Sequence, residues 1–370
     1  MHAVCLSIRF PKPAFPASIL AIVSLALLAP GAHASPVAVH HDGTSADDVA
    51  AYWTAARLRD ARPLGMSPPR IRPATRPGSA SGRALTTAPG TAPNVSMPRR
   101  GETASRPPVA GLHVSFAGLE LPWSIESYGY VSATPAVGRL YFRKPGGKGA
   151  VCSGAVVAVN VVLTAAHCIR NGSSGRWNGK WLFVPGGEGT NTQPYGVFAS
   201  RTAAVKATWS KYPWNQVAGT DKSGYFPMDY GFVVLQADAR GWNVGNYTGA
   251  FPILMNAPQG GMYHIGYPSA GQWSNCTVTQ CSPWQCTAPR QRLIRYAGGK
   301  QEVGMSCLTS GGASGGPLLQ YWNNGWYVVS VMSHMGVVRR DANGGRYGTS
   351  FYGPYLDAGT GQLFTYASSL

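Results

Sequence analysis

From residue 137 onward the chain alternates short apolar stretches with glycine, asparagine and serine. The runs 137–143, 150–157, 161–166, 181–184, 232–235 and 261–266 are rich in apolar residues, and each breaks after a few positions. That spacing predicts strands rather than helices. The runs 317–322 and 326–332 flank Asn323-Asn324-Gly325, whose residues take positive φ readily, and so predict a hairpin. Many short strands of this kind predict an all-β barrel or sandwich. A faint apolar pattern over 362–369 predicts a closing helix.

Before residue 137 the pattern is different. Residues 18–29 form an apolar core, with Arg9 and Lys12 ahead of it and the small-x-small Ala32-His33-Ala34 behind it. Residues 1–34 therefore read as a secretory signal, too short in its apolar part to span a bilayer. Residues 35–110 are rich in Pro, Ala, Arg, Thr and Gly and poor in aliphatics. Within them only 46–61 predicts a short helix, with Asp47 and Asp48 near its start and Arg57 and Arg59 near its end. The rest buries too little apolar surface to offset chain entropy and is expected to be a disordered pro-segment or linker. Arg99-Arg100 fits a processing site as well as it fits two solvated arginines. The folded domain is expected over 111–370, with its core from about 137.

Composition narrows the class. Gly (47) and Pro (29) are abundant and only 12% of the 370 residues are charged, which suits a turn-rich β protein. The net charge of +17 is spread along the chain. It forms no basic run with interleaved aromatics, so a nucleic-acid partner is not expected and the charge reads as a surface bias toward acidic partners. Of seven cysteines, Cys5 falls in the signal, leaving an even six. Spacing alone does not exclude zinc, but export favours disulfides.

The candidate chemistry centres on Thr309-Ser310-Gly311-Gly312-Ala313-Ser314-Gly315-Gly316-Pro317. A serine among glycines can be presented on a sharp turn, and the N–H groups of Gly312 and Ser314 could form an oxyanion hole. A serine hydroxyl needs a base, and His167 ends the apolar run before Cys168. Asp229 precedes another apolar run and could orient the imidazole. The chain order His, Asp, Ser is one in which the catalytic triad occurs.

With Thr164-Ala165-Ala166-His167-Cys168, Cys152, and Gly312 to Pro317, the sequence resembles the chymotrypsin-like serine peptidases from about Val137 onward. Through Asp229-Tyr230-Gly231-Phe232-Val233, His264-Ile265-Gly266-Tyr267-Pro268 and Thr309 it is similar to their secreted bacterial branch that includes glutamyl endopeptidases. The resemblance implies an all-β fold of two packed six-stranded antiparallel barrels with the active site between them. It implies a secreted serine endopeptidase, made as a zymogen, with His167, Asp229 and Ser314 as triad and Leu308, Thr309, Ser333 and His334 in the substrate groove. It implies a Cys152–Cys168 disulfide, and for the other four cysteines it favours Cys276–Cys307 and Cys281–Cys286 among three possible pairings.

Two departures stand out. Ala313 replaces the aspartate that in trypsin-like zymogens pairs with the new N-terminus, and Leu308 replaces the acid of a trypsin-like primary pocket. Cleavage after Lys or Arg is therefore not expected. An acidic P1 residue is an option if His334 binds it, although the family's histidine position falls on Met332 in one register and His334 in another. His113 and His264 are assigned to structure, and the sequons at Asn171, Asn246 and Asn275 to chance. No metal or cofactor is called for. The expected partners are protein or peptide substrates, with no nucleic acid, no stable membrane association and a monomeric state. The rival reading is a secreted, non-catalytic binding protein on the same scaffold.

Overall fold

In a computed structural model of the chain, the described residues are 37–65, 90–91, 127–130, 134–172, 174–187, 193–200, 202–211, 226–270, 282–288, 292–295, 300–340 and 346–370. The signal call at 1–34, His113, Cys276 and Cys281 lie outside them. All described residues fall in one unit, Ala34–Leu370.

The N-terminal segment departs from expectation. It folds as β1 (Val37–His41), α1 (Ala46–Tyr52), α2 (Ala55–Asp60) and β2 (Arg62–Pro63). Ser45 caps α1 in a capping box with Asp48, and Thr54 caps α2, so the expected single helix is split in two. Val49, Trp53, Leu58 and Ala61 are buried against Tyr141, Val151, Leu182 and Val184. Composition predicts disorder for 35–110, yet four apolar residues on one side of two short helices suffice once a groove exists to receive them. Two further short strands follow, β3 (Gly90–Thr91) and β4 (Ser127–Tyr130).

The first half of the domain then comprises β5 (Val137–Arg143), β6 (Gly149–Ala158), β7 (Val161–Thr164), β8 (Gly179–Pro185), β9 (Phe198–Ser200), β10 (Thr202–Lys206) and β11 (Gly231–Val234). They form one curled sheet in the order β1-β10-β11-β7-β6-β5-β8-β9. All of these pairings are antiparallel, and β2 adds to β6 in parallel, Arg62 opposite Ala150 and Pro63 opposite Val151.

After α3 (Val244–Thr248) the second half is built from β12 (Leu254–Met255), β13 (Met262–Gly266), β14 (Trp284–Ala288), β15 (Arg292–Arg295) and β16 (Gln301–Thr309). It continues with β17 (Pro317–Trp322), β18 (Gly325–Val331), β19 (His334–Met335), β20 (Val338–Arg340) and β21 (Arg346–Pro354). One sheet runs β18-β17-β13-β14-β4 and the other β15-β16-β21-β19, with β20 on β21. The β17–β18 turn places Asn323 and Asn324 at φ 45° and 62°, as its sequence demands.

The halves are joined by an apolar layer in which Val161, Leu163 and Phe232 of the first pack with Tyr263, Ile265 and Leu319 of the second. Helix α4 (Ala358–Ala367) seals this layer with Leu363 and Phe364. It begins earlier than its apolar pattern predicts because Asp357 accepts a hydrogen bond from the Gly359 N–H and caps it.

Candidate active site

Register brings two of the candidate residues together. Strand β7 pairs with β11, Thr164 opposite Gly231, so the turn after β7 and the turn before β11 lie side by side. His167 sits in the first turn (Ala166–Cys168) and Asp229 follows the second (Phe226–Met228). Asp229 is fully buried and His167 is 5% exposed. Asp229 Oδ1 accepts from the His167 backbone N–H at 2.9 Å, and Oδ2 lies 2.8 Å from His167 Nδ1. A buried carboxylate only accepts hydrogen bonds, so Nδ1 carries the ring proton and Nε2 is left bare in the neutral imidazole. Cys168, next to the histidine, is bonded to Cys152 on β6. Cys152, His167 and Cys168 cluster within 4.8 Å, but the two sulfurs are spent on each other, which leaves one nitrogen and no metal-binding set.

Ser314 is set by its glycines. Gly312 and Gly315 have φ of 99° and 82°, open to glycine at no steric cost. A side chain at Gly315 would collide with Thr164 Oγ1 and the Ser153 carbonyl, because here the loop presses on the first half of the domain. Ser153 on β6 donates its N–H to the Ser314 carbonyl at 2.7 Å and its hydroxyl to the Gly312 carbonyl at 2.9 Å. The Gly315 N–H donates to the Met332 carbonyl at 2.7 Å. Ser314 Oγ and His167 Nε2 are both buried without a hydrogen-bond partner.

The Gly312 N–H is occupied. It donates to the carbonyl of Leu64, at 2.8 Å, just past β2. Leu64 in turn donates its N–H to the Val151 carbonyl of β6 at 3.0 Å. The segment 63–65 thus lies between β6 and the serine loop, a placement that its sequence does not signal.

Other groove candidates resolve into different roles. Leu308 and Thr309 are buried at the end of β16, and Thr309 Oγ1 faces the Met332 thioether at 3.7 Å. Met332, rather than His334, stands against Thr309. Ser333 donates its hydroxyl to Asp229 Oδ2 at 2.5 Å, so it contacts the candidate acid directly. His334 is 3% exposed, with its ring against Phe226 (centroids 4.1 Å) and Tyr352 (5.5 Å) and its Nδ1 3.6 Å from Glu302 Oε1. Burial pushes its pKa down to about 3, against the opposing pull of Asp229. His264 is buried, bonded through Nδ1 to the Pro317 carbonyl, and pushed down to about 4 by burial.

One disulfide expectation is corrected. Cys307 is bonded to Cys286, Cα atoms 5.9 Å apart, not to Cys276, and Cys286 is therefore not paired with Cys281. The bond joins β14 to β16, that is, the two sheets of the second half. Spacing along the chain gives no access to that juxtaposition.

Two half-barrels of curled antiparallel strands meeting at such a serine loop give this chain the chymotrypsin fold. Residues 152–329 match the family described as the trypsin-like peptidase domain. Among solved structures, the chain is similar to a thermostable serine protease, AL20, from an extremophilic microorganism. The two are 27% identical, the match covers 64% of this chain and 98% of that one, and the TM-score is 0.50. Protease Anisep from Arthrobacter nicotinovorans shares the fold at 23% identity and a TM-score of 0.53, over 66% of this chain and 100% of that one. A Glu endopeptidase is also similar, at 21% identity and a TM-score of 0.47, over 66% of this chain and 97% of that one, which is too distant to bear on specificity. No curated protein sequence matches the chain.

Proposed function

We propose that the chain is a secreted endopeptidase that cleaves peptide bonds through Ser314, His167 and Asp229. The observation that carries this reading is the pair of contacts from Asp229 to His167, which keeps the proton on Nδ1 and leaves Nε2 free to accept one. Ser314 Oγ attacks the substrate carbonyl carbon while its proton passes to Nε2. The tetrahedral oxyanion is held by the N–H groups of Gly312 and Ser314. Collapse expels the amine, which takes the proton from the imidazolium, and leaves an acyl-enzyme that water hydrolyses by the same steps. Labelling by a fluorophosphonate, with Ser314→Ala as control, tests this reading. An unlabelled wild-type chain after removal of residues up to 65 would sink it and favour the non-catalytic binding protein.

The full chain is proposed to be latent, because the Leu64 carbonyl takes the Gly312 donor that an oxyanion needs. For specificity, Leu308, Thr309 and Met332 support a small or apolar P1 side chain. An acid at P1 has no cation to meet at His334, which is neutral and beside Glu302. Peptides differing only in P1 Ala, Phe and Glu measure this; a faster rate for Glu would reverse the assignment. N-terminal sequencing of exported material tests secretion and fixes the mature start.

A further inference from the structure

The contacts of Asp229 do not end at Ser333. Ser333 Oγ also lies 3.3 Å from His334 Nδ1, and the same nitrogen is 3.6 Å from Glu302 Oε1. A count of protons fixes the direction of these contacts. Ser333 has one hydroxyl hydrogen, and it is given to Asp229 at 2.5 Å. Ser333 can therefore meet His334 only as acceptor, so His334 Nδ1 must carry hydrogen. The ring is buried between Phe226 and Tyr352 and held neutral, so that hydrogen is its only one and Nε2 is bare. The Glu302 carboxylate, fully buried on β16, faces the nitrogen that bears it. This tautomer follows from hydrogen-bond bookkeeping.

We propose that His334 is a positioning residue for His167, acting through Ser333 and Asp229, with Glu302 setting its tautomer. The order of donation is His334 Nδ1–H to Ser333 Oγ–H to Asp229 Oδ2, which also receives His167 Nδ1–H. The titratable or charged groups along it are His167, Asp229, His334 and Glu302. The proposal rests on the triad reading above. Donation from His334 polarises the Ser333 hydroxyl, which strengthens its bond to Asp229 and lowers the basicity of that carboxylate. Without it Asp229 would stabilise the His167 imidazolium more, and the free enzyme would lose activity at a higher pH on acidification.

The test compares His334→Phe, which keeps a ring but has no donor, with His334→Asn, whose amide N–H stands near the Nδ1 position. Both are measured on chain from which residues up to 65 have been removed, with thermal melting as a check of folding. The expected result is that His334→Phe moves the acid limb of kcat/KM upward by about half a pH unit with KM unchanged, from the worth of one such hydrogen bond. His334→Asn is expected to keep the wild-type limb. An identical limb in all three proteins, or a change in KM alone, overturns the proposal and makes His334 a groove residue. Ring 15N shifts of His334 in the unmutated protein give a reading that needs no variant. Protonated Nδ1 with bare Nε2 is expected, and the reverse tautomer overturns the proposal. Failure of wild-type labelling by fluorophosphonate would instead sink the triad reading itself.

Discussion

Gly65 is the place to test latency with a single methyl group. A Cβ there would stand 2.7 Å from Gly311 Cα and 3.2 Å from Gly311 N. Carbon contacts are comfortable from roughly 3.5 Å, so Gly65→Ala must move the two segments apart by about 0.8 Å. The Leu64–Gly312 hydrogen bond, 2.8 Å long, then stretches beyond useful range. Overpacking of this kind costs about 1–3 kcal/mol, and at about 1.4 kcal/mol per decade the share of chains with an open Gly312 N–H rises roughly 5- to 150-fold. The segment as a whole stays docked, because Val49, Trp53 and Leu58 remain buried and large apolar side chains contribute roughly 1.5–3 kcal/mol each. The assay is the second-order rate of fluorophosphonate labelling on uncleaved chain, with intact mass confirming that no cut has occurred. Gly65→Ala should label faster than wild type and no faster than chain from which residues up to 65 have been removed. The reasoning is refuted if uncleaved wild type labels as fast as that shortened chain, or if Gly65→Ala labels at the uncleaved wild-type rate.

Three further outcomes are expected. Asp229→Asn should lower kcat by about 10⁴-fold by stabilising the wrong imidazole tautomer; steady-state kinetics showing less than about a tenfold loss would remove Asp229 from its role. Replacing Cys152 and Cys168 by alanine opens a loop of sequence separation 16 and should cost about 3 kcal/mol, read as a lower urea midpoint at unchanged slope. Burial pushes the folded-state pKa of His264 down to about 4, below the 6.5 of a free imidazole, so the unfolded chain binds more protons in between. Its contribution to stability is therefore whole above pH 6.5 and falls as pH drops toward 4, by roughly 3 kcal/mol. His334, pushed down to about 3, acts in the same direction. A His264→Phe variant whose unfolding shows the wild-type slope across that window would contradict this.

Local chemistry was legible in the sequence and long-range docking was not. The glycines around Ser314 and the small residues before His167 are dictated by contacts within a few ångströms, so they leave a mark on the chain itself. The fold of 37–65 depends on a groove made by Tyr141, Val151, Leu182 and Val184, which no window of the segment contains. Pairing of Cys286 with Cys307 depends on how two sheets face each other. The Met332 or His334 ambiguity has a specific cause. Period two predicts both on one side of a strand, but β18 ends at Val331 in one sheet and β19 begins at His334 in the other. The chain changes partner sheet between them, so alternation does not carry across.

Ser153 has a consequence for how the enzyme could be divided. Its N–H holds the Ser314 carbonyl, its hydroxyl sits between the Gly312 carbonyl and the Tyr267 N–H, and its own carbonyl receives the Thr164 hydroxyl. Ser314 is thus registered by a residue from the opposite half of the fold, more than a hundred positions upstream in the chain. A C-terminal fragment made alone would carry Ser314 without the strand that seats it. Mixed with the complementary N-terminal fragment, it should gain reactivity only on reassembly, which makes serine labelling a direct readout of whether the halves have found each other.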